Sequence, residues 1–172
     1  MLMSLVVAPT FGTQHQPYAH EQSREIKALS AEEVKQYLSG AGIGYAKAAE
    51  LNHFPGPMHV LELADKLGLS EGQRTDVKRL MDAHKAQARA IGARLVESER
   101  ALDALFRNGK VEPQVLAEAV RAAGAATAEY RLSHLETHRR TRALLTAEQV
   151  ARYDELRGYA GPASAKGAHR HH

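Results

Sequence analysis

Apolar side chains recur at three- and four-residue spacing through two long stretches of the chain, the pattern of helices that each bury one face. The first stripe runs Val77, Leu80, Met81, His84, Ala88, Ile91, Leu95, Leu102 and Leu105. The second runs Leu116, Val120, Ala123, Thr127, Tyr130, His134 and His138, with Leu132 and Leu135 beside it. Ser70 is placed to cap the first helix and Asn108-Gly109 to end it, which predicts a helix over 71–107, about 55 Å long at about 1.5 Å per residue. Pro113 suits the first turn of the second. So short a link between them forces the two helices to lie antiparallel.

Shorter elements flank this hairpin. Ser30 followed by Glu33 forms a capping box and predicts a short helix that stops at the Gly40-Ala41-Gly42-Ile43-Gly44 cluster. A second short helix is expected over 45–51, and His53-Phe54-Pro55-Gly56-Pro57 then breaks the chain. Pro57 begins a helix carrying Met58, Leu61, Leu63, Ala64 and Leu67, ended by Gly68. Thr146 caps a terminal helix with Val150, Tyr153 and Leu156, closed by Gly158. The expected fold is all-α, a long antiparallel helical hairpin with flanking short helices. Residues 1–28 read as a remnant signal and flexible lead-in, 29–159 as a single all-helical domain, and 160–172 as a disordered His-containing tail.

Composition narrows the chemistry. There is no cysteine, so a metal site must be built from His, carboxylate or Met. The net charge is only +3, and basic residues alternate with acids except at Arg139, Arg140 and Arg142, a cluster expected to be a solvated helix face; no nucleic-acid partner is expected. Residues 1–8 resemble the apolar core of a secretory signal, although no basic segment precedes them and no clean A-x-A site follows; the alternative is an apolar arm packed on a neighbour. No run approaches the roughly twenty apolar residues that span a bilayer. Nucleophile elbow, phosphate loop and dinucleotide fingerprint are all missing, so no enzyme is expected.

The histidines carry the strongest chemical signal. His134 and His138 stand i, i+4 on one helix face, a spacing that lets two imidazoles share zinc, nickel, cobalt or copper. Pivoting the hairpin at Gly109-Lys110 sets residue i roughly opposite residue 219 minus i, because both helices rise equally per residue. His84 then falls opposite about position 135, and three imidazoles converge from two helices. The competing reading makes His84 a core histidine hydrogen-bonded to Tyr130 or a carboxylate. A fourth ligand could come from His59, His53, Glu99 or Glu136; His59 is preferred, since its helix must fold back beside the open end of the hairpin. Met58 and Met81 read as core residues able to ligate a soft ion. His134-Leu135-Glu136-Thr137-His138 lacks the H-E-x-x-H order of zinc peptidases. His169, His171 and His172 form a loose cluster in the tail.

With these residues placed, Leu145-Thr146-Ala147-Glu148-Gln149 resembles the LTxxQ motif of the periplasmic stress and metal-resistance family that includes Spy, CpxP, ZraP and CnrX. Leu69-Ser70-Glu71-Gly72-Gln73 resembles a first copy with serine for threonine. The resemblance covers residues 58–159, and residues 20–57 have no counterpart in it. It implies a hooked helical hairpin in the periplasm that forms an intertwined or side-by-side homodimer. It also implies one of two roles. One is a metal-binding sensor or scavenger signalling to a membrane-bound partner, with His59 ahead of the first motif and His134 or His138 ahead of the second; the other is an ATP-independent chaperone that cradles unfolded clients. The glutamate such sensors carry on the first long helix has no match in register here. Metal binding by His84, His134, His138 and His59 is the first expectation, chaperone activity the second.

Overall fold

The computed structural model describes residues 18–109 and 111–160. Six helices follow in order: α1 (Ala31–Ser39), α2 (Lys47–Glu50), α3 (Pro57–Glu62), α4 (Glu71–Arg107), α5 (Pro113–Ala143) and α6 (Ala147–Arg157). Helices α4 and α5 form the antiparallel hairpin; α1 lies along α4, α2 against α5, and α3 contacts both long helices. Among the described residues there is no strand, and no helix is long and apolar enough to cross a membrane.

Three helices start on reciprocal caps, in which the N-cap hydroxyl accepts from the backbone three residues on while that residue's side chain bonds the N-cap N–H: Ser30 with Glu33, Ser70 with Gln73, and Thr146 with Gln149. These local bonds fix the helix starts where the sequence places them. α3 is shorter than expected. Its ladder gives way after Glu62 to mixed turns in which Gly68 N–H bonds Asp65 C=O and Leu69 N–H reaches back to Ala64 C=O. Ala64 and Leu67 are still buried, so the apolar pattern continues while the backbone bends to deliver Leu69 and Ser70 to the start of α4.

Two apolar clusters hold the hairpin. One joins Tyr37 of α1 to Ala88, Ile91, Leu95 and Val96 of α4 and to Ala126 and Tyr130 of α5. Ile26 and Leu29 complete it, and Ile26 is only 2% exposed. The end of the stretch read from sequence as a flexible lead-in, residues 25–28, is therefore packed on the hairpin: Lys27 N–H donates to Asp103 at 3.0 Å, and Arg107 donates to the Glu25 carbonyl at 3.0 Å. The second cluster lies at the open end, where Val60, Ala64, Leu67, Leu69, Val77, Leu145, Val150 and Tyr153 meet. Between the clusters the inward face of α5 is polar. Ser133, Thr137 and Thr141 each return a hydroxyl hydrogen to a carbonyl one turn back at 2.8 Å, so all three hydroxyls are buried without a tertiary partner. His134 and His138 occupy this polar layer, facing His84.

Candidate metal centre

His84 and His134 meet edge to face, with ring centroids 4.5 Å apart, close to the register that the loop position implies. Tyr130 stacks beside His134 at 4.7 Å. Its phenol donates to the Ala41 carbonyl at 2.6 Å, which ties the 40–44 loop over the histidines. All four predicted ligands, His59, His84, His134 and His138, line one cavity of about 640 Å³ together with Met58, Met81 and Glu50. The cavity opens beneath the 40–44 loop, in the polar layer between the two apolar clusters.

Three imidazoles are anchored by the same nitrogen. His134 Nδ1 lies 2.9 Å from the Tyr130 carbonyl, His138 Nδ1 lies 2.8 Å from the Phe54 carbonyl, and His59 Nδ1 lies 2.8 Å from the Glu62 carboxylate. An acceptor at Nδ1 places the proton there and leaves the Nε2 lone pair available as a donor to a metal. His134 Nε2 is buried without a hydrogen-bond partner, and so is His84 Nδ1. Unsatisfied polar atoms of this kind are uncommon in packed interiors and call for an explanation. Gly56 makes room for His138, since a Cβ there would come within 2.9 Å of the imidazole.

Burial pushes the His84 imidazole down to about 4, and the nearby His134 and His138 add to the effect. His134 is also held below its ordinary value, chiefly by burial, against the opposing pull of the Tyr130 and Gly40 backbone carbonyls. Both rings are neutral at pH 7, the state that ligation needs. Between its ordinary 6.5 and about 4 the unfolded chain takes up a proton at His84 that the folded chain refuses, so stability falls as pH drops through that window and the contribution is gone below it. In the metal-free protein the urea midpoint is expected to decline from pH 6.5 to 4, with a shallower decline in His84→Leu; parallel curves would show that His84 is not held neutral.

The other sequence candidates lie elsewhere. His53 is mostly exposed, with a left-handed backbone (φ 67°), and bonds Asp154 at 2.7 Å. Glu136 pairs with Arg139 at 2.7 Å beside a separate groove that also contains Arg94 and Glu129. Glu99 does not line the cavity. The competing reading of Tyr130 is met in altered form: its carbonyl takes His134 rather than His84, and its hydroxyl goes to the loop. Sequence reasoning missed Glu50. Among the described residues it is the only carboxylate lining the cavity, beside Lys47, Lys85, Arg89 and Arg157, and the one available signal was its place as the sole acid between Gly40 and Pro57. As they stand, the donors share the cavity without closing on a common point; no three His, Asp or Glu among the described residues are gathered to hold an ion. The tail histidines and residues 1–8 lie outside the described residues.

Below the cavity the two motif copies meet. Leu69 and Leu145 are buried in the same cluster, and the following hydroxyl residues cap α4 and α6. The two glutamines then bond each other: Gln73 Nε2 donates to Gln149 Oε1 at 2.8 Å, and Gln149 Nε2 donates to Gln73 Oε1 at 3.1 Å. Gln73 also donates to the Leu144 carbonyl at 2.9 Å. Serine in the first copy thus serves as well as threonine, because the motif needs a capping hydroxyl and a glutamine rather than a methyl group.

Comparison with known proteins agrees with this geometry. The sequence model of the LTXXQ motif family matches residues 57–157, more than half of the chain, and spans α3 through α6 with both motif copies. No curated protein and no solved structure matched. With the paired motifs at the base of a helical hairpin, the chain belongs to the LTXXQ motif family.

Proposed function

We propose that this protein is a periplasmic metal-binding member of its family, serving heavy-metal sensing or resistance. His84, His134 and His138, joined by His59, take up a divalent transition ion of the imidazole-preferring kind, zinc, nickel, cobalt or copper. The observation that carries this reading is the shared anchoring of His59, His134 and His138 through Nδ1, beside two buried ring nitrogens that have no protein partner. Neutral imidazoles oriented by carbonyl and carboxylate acceptors are the usual surroundings of metal-ligating histidines. The protein binds its ion rather than transforming a substrate. Drawing His84 and the α5 histidines onto one ion stiffens the hairpin, and in this reading a homodimer passes that change to a membrane-bound partner.

The test is calorimetric titration of the metal-stripped protein with each ion, using a chain whose His169, His171 and His172 are replaced by alanine. Stoichiometric binding is expected, and a His84/His134/His138→Ala variant should lose it. Binding no tighter than millimolar in the parent would sink the reading. A chaperone role is the second reading, favoured by the exposed Val115, Val120 and Leu132 on α5 and Phe106 on α4. Suppression of client aggregation that survives in the triple variant would support it.

A further inference from the structure

Residues 18–56 lie outside the family match, yet they supply part of the candidate site. From this segment come the Phe54 carbonyl on His138, the Ala41 carbonyl that holds Tyr130, and Glu50. Glu50 sits at the centre of a bonded set. Its Oε1 accepts from the Tyr153 phenol at 2.6 Å, and its Oε2 accepts from Gly56 N–H at 3.1 Å. The same Oε2 stands 3.5 Å from His138 Nδ1, with both side chains largely buried, 14% and 13% exposed. Arg157 Nε lies 3.8 Å from Oε1.

We propose that Glu50 is a positioning residue for the histidine site: its charge beside Nδ1 reinforces the metal-ready His138 tautomer that the Phe54 carbonyl fixes, and it offsets the positive charge that the ring acquires on binding an ion. The proposal rests on the metal-binding reading. Two donors on different elements fix the carboxylate independently of His138, so its place beside Nδ1 is preset rather than induced. The Phe54 carbonyl takes the direct hydrogen bond, and the carboxylate adds the charge that a carbonyl lacks. A ligating histidine backed by a carboxylate is more basic, and loss of such a partner typically costs about 10–100-fold in metal affinity. Glu50 weighs more here because the other charged groups lining the cavity are Lys47, Lys85, Arg89 and Arg157. It also ties the site to α6, since Tyr153 belongs to the cluster that seats both motif copies.

Glutamine can replace Glu50 without breaking the fold, with its oxygen accepting from Gly56 and its amide meeting Tyr153. Glu50→Gln, in the chain with alanine at the tail histidines, is therefore expected to melt like the parent. It should bind zinc about 10–100-fold more weakly and give shifted visible bands with cobalt. Adding Lys47→Gln restores the net charge of the cavity and should not restore affinity. Tyr153→Phe releases one anchor of the carboxylate and should weaken zinc several-fold, with no further loss when combined with Glu50→Gln. A parent that binds zinc beside a Glu50→Gln variant that binds it equally would overturn this proposal and leave the metal reading intact. Full rescue by Lys47→Gln would also overturn it, by reducing Glu50 to bulk charge. A parent that binds neither zinc nor cobalt overturns both.

Discussion

Gly92→Ala is expected to lower stability by about 2–4 kcal/mol, although it replaces the poorest ordinary helix former with the best. Gly92 lies in the interior of α4, where alanine by itself would gain about 1 kcal/mol. Its added Cβ would fall 2.1 Å from the Tyr37 carbonyl oxygen, 2.7 Å from the carbonyl carbon, and 3.2 Å from the Tyr130 ring. The obstacle is backbone at the end of α1, so no rotamer change relieves it and α1 must move away. That movement loosens Tyr37, Ile26 and Leu29 from the cluster that joins α1 to α4 and α5, and frees the 40–44 loop beside His134. Gly124→Ala on α5 is the control: nothing lies within 4 Å of its Cβ, and the substitution should stabilise by about 1 kcal/mol. Urea unfolding of both variants checks the pair. Two substitutions of the same sign and size would mean that α1 does not press on α4 at Gly92.

Helix ends were the most legible part of the fold, because each is written in local chemistry. Ser70 with Gln73 and Thr146 with Gln149 mark starts that tertiary structure leaves in place, and the short loop after Arg107 sets the register that brings His84 to His134. Side chains deciding contacts between distant segments were less legible. Ile26 and Leu29 close a polar, aperiodic stretch, and two apolar residues three apart are too few to betray their burial. Val120 and Leu132 look like core yet are 51% and 64% exposed, while Ser133, Thr137 and Thr141 face inward. Hydropathy misjudges that layer because each hydroxyl satisfies itself on its own helix and enters the interior at little cost. The histidines could be placed from spacing, whereas Glu50 and the Phe54 carbonyl reach His138 only through the path of the 41–56 loop. No local rule encodes that path.

Gln149→Glu is expected to destabilise by about 2 kcal/mol, and this separates the two jobs of the motif glutamine. At the third position of a helix, glutamate completes a capping box as well as glutamine does and sits favourably at the positive end of the helix dipole. By local rules the substitution should be neutral or better. In the folded chain, however, each glutamine oxygen takes both its own N-cap N–H at 3.0 Å and the amide of the other glutamine. A carboxylate at 149 still accepts from the Thr146 N–H and from the Gln73 amide, but it has no N–H to return to the Gln73 oxygen. Its charge then faces the Gln73 oxygen, which is left with the Ser70 N–H alone, and loss of this hydrogen bond in a half-buried site with two like-signed oxygens opposed costs about 1–3 kcal/mol. Gln73→Ala and Gln149→Ala should each cost a similar amount, while the double variant should cost less than their sum by about 1 kcal/mol, because the second removal strands nothing further. Urea unfolding of the four-member cycle and of Gln149→Glu reads both effects. Strict additivity, or a Gln149→Glu protein as stable as the parent, would reduce the motif to two independent helix caps; coupling would explain why a capping box that tolerates either residue is held to glutamine in both copies.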